Sequence, residues 1–546
     1  MGDGASEVAV YAAAADTESE KKDILHAEVS PSIHSERTKR RWLVGLQFWP
    51  GLRPENDLRP PVYQNRAPPP PAESDSVWSK IGTFFKLLGP GAIISVAYVD
   101  PDNYQTAIAS GASFQYKLLF MVLVSNAIAI YIQSLCVKLG TVTGMDLAQL
   151  NHRYLPRWLE LIIYVIAEAS IIATDLGQVI GQAIALNILI PGLPLPAACV
   201  ISVADTLLIL LFYTPAGELR RVRVFEVFVA LLVGAVFITL CVALSFVSAP
   251  VGPVFRGYLP SREVFVNTGL YEMCATLGGT LMPHALYVGT ALSRARLYDY
   301  DAKHSPGVVP SPSSSTSSLS TYRPSLRAIR SCLRYSIAEL SVTLFVVAVF
   351  VNSALLIIAG AAFYSPSPSP DSEEVSDDLY DLYTLFSTAV SPAAAVLFAV
   401  SLLFSGVSAG VVSTIAGQIV MEGALDLRIS PFLRRLVTRC VAIVPALVIA
   451  LAVGRDGLSK ALVACNYLLG IALIPITFPL IWYTGRGKCM RVPVDGDGDG
   501  AMATGVVDMR NNWLTAGVAW LLWLLVVVMD VATVVLVGLG ITEADG

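Results

Sequence analysis

The chain has 546 residues, 54% of them hydrophobic and only 14% charged, with a formal net charge of −5. A soluble domain carries about 25% charged residues, so these proportions exclude an ordinary soluble protein and put most of the chain in lipid. No basic block interleaved with aromatics suggests a nucleic-acid partner.

Residues 1–79 are polar and then proline-rich, with APPPPA at 67–72. They lack the apolar core of a cleavable signal peptide and read as a disordered cytosolic tail. About 20 apolar residues cross a bilayer as a helix. Eleven blocks meet that measure, at roughly 84–111, 117–138, 158–188, 195–213, 224–248, 268–292, 335–363, 392–423, 431–453, 459–483 and 513–538. The expected fold is an all-α membrane protein of eleven spans over residues 80–540. Low-complexity loops fall near 299–325, 364–380 and 485–511.

Charge orients the blocks. With a cytosolic tail, the inside loops hold Arg153 and Arg157, Arg220, Arg221 and Arg223, and the arginines between Arg294 and Arg334. Further inside positives run from Arg428 to Arg439 and from Arg486 to Arg510. The outside loops hold few, among them Arg256, Arg262, Arg455 and Lys460. This is a positive-inside pattern, with the C-terminus non-cytosolic. Plasma membrane and endosome or vacuole both suit it. The eight cysteines form no CxxC pair, so neither a disulfide framework nor a thiolate zinc site is suggested.

Two blocks are interrupted by polar groups. The first contains Asp100-Pro101-Asp102-Asn103, and the sixth contains Gly278-Gly279-Thr280-Leu281-Met282-Pro283-His284. Charges at bilayer depth are costly and mark a pathway or a pair. Backbone freed by a break is tolerated only against protein or a wet cavity. Matching breaks in spans one and six point to a midplane site in a transporter of inverted repeats, spans one to five and six to ten. Asp100 offers an anionic oxygen, Asn103 an amide oxygen and Met282 a thioether. The carbonyls of Ala97 and Gly279 could add more. A sulfur among hard oxygens favours a transition metal over Mg²⁺ or Ca²⁺. Met282 as core filler and Asp100 as a capping carboxylate are the plainer alternatives. Asp102, beside the expected half-helix 104–111, reads as its N-cap, with a cation-attracting vestibule charge as the alternative.

VAYVDPDN resembles the first-span motif of the Nramp family of divalent metal transporters, and LMPHALYVGTAL resembles its sixth-span motif. Residues 167–189, 404–423 and 434–439 resemble its third span, its eighth-span signature in fungal form and its ninth-span arginines. The resemblance implies a LeuT-like fold that carries Mn²⁺, Fe²⁺ and related ions, driven by protons. It makes Asp100, Asn103, Met282 and the Ala97 carbonyl metal ligands, with Gly279 at a carbonyl position. His284, Glu168, Asp175, Arg434 and Arg435 become the proton route. Asn352 becomes a gating residue, with Tyr467 near the tenth-span break. The chain departs from the family at Asp102 (glycine there), Gln178 (often an acid), Gly279 (alanine), Gly289 (often histidine) and Asn466-Tyr467 (a Ser-Gln pair).

The expected function is proton-coupled uptake of Mn²⁺ or Fe²⁺ into the cytosol by alternating access, not enzyme catalysis. The partners are the metal, protons and lipid, and no cofactor is expected. A non-transporting metal sensor is weakened by tails without an effector domain. An organic-solute carrier is weakened by the Asp100 charge and the Met282 sulfur.

Overall fold

The computed structural model describes residues 90–202, 219–265, 267–304, 324–364, 379–385, 387–388, 391–425, 431–494 and 505–538. The expected tail 1–79 lies outside them, as do most of the fourth block and the centres of the three low-complexity loops. Apart from 154–157, the described residues belong to one compact unit, 59–153 with 158–546.

The chain forms helices in this order: α1 (Pro90–Val96), α2 (Pro101–Phe114), α3 (Leu119–Thr143), α4 (Leu147–Tyr154), α5 (Arg157–Leu189) and α6 (Leu219–Ser245). Then come α7 (Val251–Gly257), α8 (Asn267–Thr280), α9 (Pro283–His304) and α10 (Leu326–Thr343), which runs through a π turn into α11 (Phe350–Ala362). The remaining helices are α12 (Leu379–Leu385), α13 (Pro392–Leu425), α14 (Pro431–Ala452), α15 (Arg455–Gly485) and α16 (Trp513–Gly538). Six continuous helical stretches among the described residues are long and apolar enough to cross a membrane: Leu119–Thr143, Phe228–Ser245, Leu326–Ala362, Pro392–Leu425, Gly457–Gly485 and Trp513–Val535. Blocks one and six are the split pairs α1/α2 and α8/α9.

One element departs from the all-helical expectation. Strands β1 (Arg491–Val494) and β2 (Gly505–Asp508) pair antiparallel, with Arg491 opposite Asp508. They lie in what the sequence reads as a structureless loop.

Proline explains both splits. It has no N–H to give the carbonyl four residues earlier, and its ring crowds that carbonyl. Pro101 lies four residues after Ala97, and Pro283 four residues after Gly279. The helix α1 therefore closes with tight turns, Ala97 N–H to Ile94 O at 3.1 Å and Val99 N–H to Val96 O at 3.0 Å. Each proline then serves as the first residue of the next half-helix, where its missing donor costs nothing.

Packing holds the split helices centrally. The half-helix α2 lies against α11, α8 and α15, while α8 lies against α15, α3 and α16. Contact of α2 with α5 needs glycine: a Cβ on Gly181 would fall onto Pro101, and one on Gly177 onto the Asp102 carboxylate. Buried Glu339 of α10 accepts from the Gly91 N–H of α1 at 3.2 Å and pairs with Arg296 of α9. One carboxylate thus ties together one half of each broken helix.

Candidate metal site

Between α1 and α2 the chain is extended, and Asp100 is the N-cap of α2 at φ −125°, ψ 168°. Its Oδ1 accepts from the Asn103 N–H at 3.2 Å. Its Oδ2 is buried with no hydrogen-bond partner. Capping therefore occupies one oxygen and leaves the other free. The plainer alternative for Asp100, a cap, and the ligand reading are both compatible with this geometry.

The expectation for Asp102 is overturned. Helix α2 begins at Pro101, not at 104, and Asp100 is its cap, so Asp102 lies within the first turn. It is not a vestibule charge either, being 1% exposed. Its carboxylate sits in the space that Gly177 of α5 leaves open, and its Oδ1 has no partner. The physical reason is the Asp-Pro order: an aspartate before a proline at the first helical position is already the cap, and the next acid falls inside the helix.

The freed carbonyls at the first break are put to different uses. That of Tyr98 accepts from Asn103 Nδ2 at 3.2 Å and, at a long 3.5 Å, from Asn352 Nδ2 of α11. That of Val99 accepts from Ser405 Oγ of α13 at 2.9 Å. That of Ala97 accepts no hydrogen bond among the described residues. Asn352, read as a gating residue, is thereby attached to the first break, and its Oδ1 has no partner.

The second break faces the first. A Cβ on Gly279 would stand 3.0 Å from Asn103 Oδ1 and 3.0 Å from Asn466 Oδ1. Asn466 of α15 donates its Nδ2 to the Asp102 carbonyl at 3.4 Å. The structure thus brings Asn103, Gly279 and Asn466 together beside Asp100. Met282 lies in the break itself, fully buried, with its N–H on Thr280 O at 3.2 Å. Tyr467, beside Asn466, turns to α8, where its ring packs on Tyr271 at 5.2 Å. Among the described residues no cluster of three or more His, Cys, Asp or Glu side chains could hold a metal. The donors at the breaks are instead one carboxylate, amides, a thioether and carbonyls. That set carries little charge, so an ion held by it can also leave.

The residues read as a proton route lie along α5 and its neighbours. His284, 1% exposed, is the second residue of α9, and its Nδ1 is 3.4 Å from Thr174 Oγ1. Thr174 gives its own hydrogen to the Ser170 carbonyl at 3.0 Å. Which of the pair donates in the Thr174–His284 contact follows the tautomer of the ring. Asp175 follows in the next position and accepts from Ser413 Oγ of α13 at 2.6 Å. Gln178 Oε1 stands 3.3 Å from the same hydroxyl. Glu168, half-buried, lies two turns before Asp175 on the same face. The side chains of Arg434 and Arg435 lie outside the described residues, so the expected basic end of this route has only its helix, α14.

Three more residues belong to this region, two that the sequence reading missed, Ser413 and Gln133, and one, Asn466, that it noted only as a departure. Ser413 holds Asp175. Asn466 of α15 lies against Gly279 and bonds the Asp102 carbonyl. Gln133 of α3 donates to the Ala285 carbonyl at 3.0 Å, and its Oε1 occupies the space beside Gly289. The glycine noted there as a departure thus has a neighbour that needs it. A buried amide within an apolar block was the available signal for Asn466 and Gln133.

The natural resistance-associated macrophage protein-like (Nramp) family model matches residues 91–536. The chain is 42% identical over 500 residues to the manganese transporter SMF1 of Saccharomyces cerevisiae, covering 84% of this chain and 86% of that protein. It is 44% identical over 412 residues to the iron transporter SMF3 of the same yeast, covering 75% and 83%. A crystal structure of a mutant of the Eremococcus coleocola manganese transporter matches with a TM-score of 0.69 at 28% identity, covering 89% of this chain and 92% of that one.

Proposed function

This chain belongs to the Nramp family, and on that premise we propose that it moves Mn²⁺, Fe²⁺ or related divalent ions across a membrane at its two helix breaks. The observation that carries the reading is Asp100: a buried carboxylate at the mouth of a half-helix, one oxygen spent on the cap and the other unpartnered. A buried anionic oxygen without a partner is costly unless a cation joins it.

Asp100 supplies the charge, Asn103 a neutral oxygen and Met282 the soft sulfur. The carbonyls of Ala97 and Gly279, each robbed of a donor by a proline, complete the set. Sulfur among oxygens selects transition metals over Mg²⁺ and Ca²⁺. Alternating access shifts the half-helices, because each break is a ready hinge whose backbone is already free of the ladder. Asn352, hydrogen-bonded to the first break, and Tyr467, stacked on α8 of span six, move with those halves and gate the site.

Protons travel with the metal toward the cytosol. His284 offers an imidazole, whose two ring nitrogens can take up a proton on one side and release one on the other. Thr174 beside His284 and Asp175 bonded to Ser413 of α13 follow one another along α5, with Glu168 further along the same face, and family resemblance adds Arg434 and Arg435 to the route. Family resemblance and the arginine-rich loops support inward transport with the N-terminus cytosolic.

Uptake of Mn²⁺ into proteoliposomes at two external pH values, with a pH dye inside, tests the reading. Metal-dependent acidification that grows with external acidity is expected. Uptake without acidification would overturn the proton coupling, and no uptake would overturn the transport reading.

A further inference from the structure

We propose that Arg294 is a positioning residue of the transport cycle: it fastens the short helix α4 to the broken sixth span, so that α4 opens and closes the arginine-bearing mouth of the protein as α9 moves. The inference goes beyond the transport reading and rests on it.

Asp146 and Gln149 cap the start of α4 reciprocally. The Gln149 N–H donates to Asp146 Oδ1 at 2.9 Å, and the Asp146 N–H donates to Gln149 Oε1 at 3.2 Å. Arg294 of α9 donates from Nη1 to both members of this cap, to Asp146 Oδ2 and to Gln149 Oε1, each at 3.2 Å. The ion pair is largely buried. One turn earlier on α9, Thr290 Oγ1 accepts from the Leu147 N–H at 3.1 Å. Helix α3, which leads into α4, presses on α9 at the same level, since a Cβ on Gly140 would fall onto the Thr290 carbonyl. A desolvated charge pair is costly to separate, so the start of α4 travels with α9.

The other contacts of α4 are easier to part. Gly423 of α13 lies against it so closely that a Cβ there would stand 2.5 Å from the Ala148 methyl. Tyr483 of α15 donates its hydroxyl to Asn151 Oδ1 at 3.0 Å, a bond between neutral groups and weaker than one that carries charge. Further along, His152 Nδ1 stands 2.6 Å from Glu160 Oε1 of α5 and 3.1 Å from the Ala424 carbonyl. That pins the end of α4 where the chain turns into α5. The helix is thus a strap, fixed to α9 at its start and hinged at its end.

Arg294 lies eleven residues after Pro283, about 16 Å along α9 from the break. At that level Ala148 and Asn151 are buried among the spans, so α4 fills the way out of the metal site toward the arginine-bearing face. An ion leaving on that side needs the seam between α4 and α13 to part. With Arg294 holding α4 on α9, movement of α9 at its break parts it.

The test uses the full-length protein in proteoliposomes, with radiolabelled Mn²⁺ uptake measured before oxidation by copper phenanthroline, after it, and after reduction. Ala148→Cys with Gly423→Cys ties α4 to α13, and Leu147→Cys with Thr290→Cys ties it to α9. A disulfide needs Cβ atoms about 3.5–4.5 Å apart, which a small outward shift at the tight 148/423 contact provides. Single-cysteine variants control for the native thiols, and mass confirms each disulfide. Oxidation should stop uptake in the first pair, reversibly, and leave it unchanged in the second. Arg294→Gln with Asp146→Asn removes both charges together; it should lower the maximal rate with little change in KM, and the 147/290 disulfide should restore part of that rate. Uptake that survives the 148/423 disulfide, or is lost with the 147/290 disulfide, would overturn the proposal while leaving the transport reading intact. So would an unchanged rate in the charge-free variant, or one that the tether does not raise. A wild-type protein that carries no Mn²⁺ would overturn the transport reading and the inference together.

Discussion

Gly177→Ala should damage the first break from a different helix, and removing Asp102 should repair it. The added methyl would lie 2.6 Å from Asp102 Oδ2 and 2.7 Å from Cγ, with Oδ1 closer still. Ordinary contacts start near ~3.5 Å, so the Asp102 side chain has to shift by about 1 Å. Asp102 is in the first turn of α2, between the cap Asp100 and Asn103. Its backbone cannot move without moving both. Over-packing of this kind costs about 1–3 kcal/mol, which on binding is about 5- to 150-fold in KM. Asp102→Gly removes the atoms that would clash. The same Gly177→Ala change in that background should therefore cost a small fraction of its effect in the wild type, a coupling of about 1–3 kcal/mol for groups in direct contact. The assay is Mn²⁺ uptake in proteoliposomes for all four combinations, with the thermal unfolding midpoint in detergent as the control for folding. A silent Gly177→Ala, or one equally harmful with and without Asp102, would refute the packing argument.

Further expectations concern single groups. Met282→Ala should weaken Mn²⁺ and Cd²⁺ uptake while sparing or improving the relative uptake of Ca²⁺, because only the soft ligand is lost; an unchanged ratio in a well-expressed variant would exclude a sulfur ligand. Ser413→Ala removes the 2.6 Å hydrogen bond to Asp175, so metal-linked acidification should fall more than metal uptake, and equal losses would make Ser413 structural only. At the protein surface, a hydrogen bond from Lys117 Nζ at 2.7 Å holds the Glu263 carboxyl below its usual range. A lowered carboxyl pKa stabilises the fold above the ordinary value near ~4.3 and loses that contribution as pH falls through the folded value. The pair is partly exposed, so the effect is small: the unfolding midpoint of Lys117→Ala should lie slightly below wild type at neutral pH and meet it in acid.

The breaks were legible in the sequence because proline acts locally. Pro101 and Pro283 each disable one known hydrogen bond, and the carbonyls of Ala97 and Gly279 follow by counting. Family membership was legible for the same reason, since its two motifs sit on those breaks. Asp102 was misread although the signal was present. Asp-Pro at a helix start makes the aspartate the cap, and the acid after the proline then belongs to the first turn. The destination of its side chain was not legible, since it depends on a glycine in α5 some 75 residues away (102 against 177). Asn466, Gln133 and Ser413 are polar residues in apolar blocks whose partners lie on other helices, so nothing local separates them from solvent-facing or core polar groups. The hairpin of β1 and β2 was hidden by the aspartate-glycine repeat between its strands. The repeat reads as low complexity, while the short valine-rich arms RVPV and GVVD carry the pairing.

A divalent ion held at the two breaks by Asp100, Asn103 and Met282 would be seen most directly in a crystal structure of this protein grown with Mn²⁺, with anomalous scattering measured at the manganese edge. The expected result is a peak bounded by the free oxygen of Asp100, Asn103 Oδ1 and the Met282 sulfur, beside the carbonyls of Ala97 and Gly279, and a weaker peak or none in Asp100→Ala. A strong peak elsewhere in the spans, unaltered by Asp100→Ala, would contradict a metal site at the breaks.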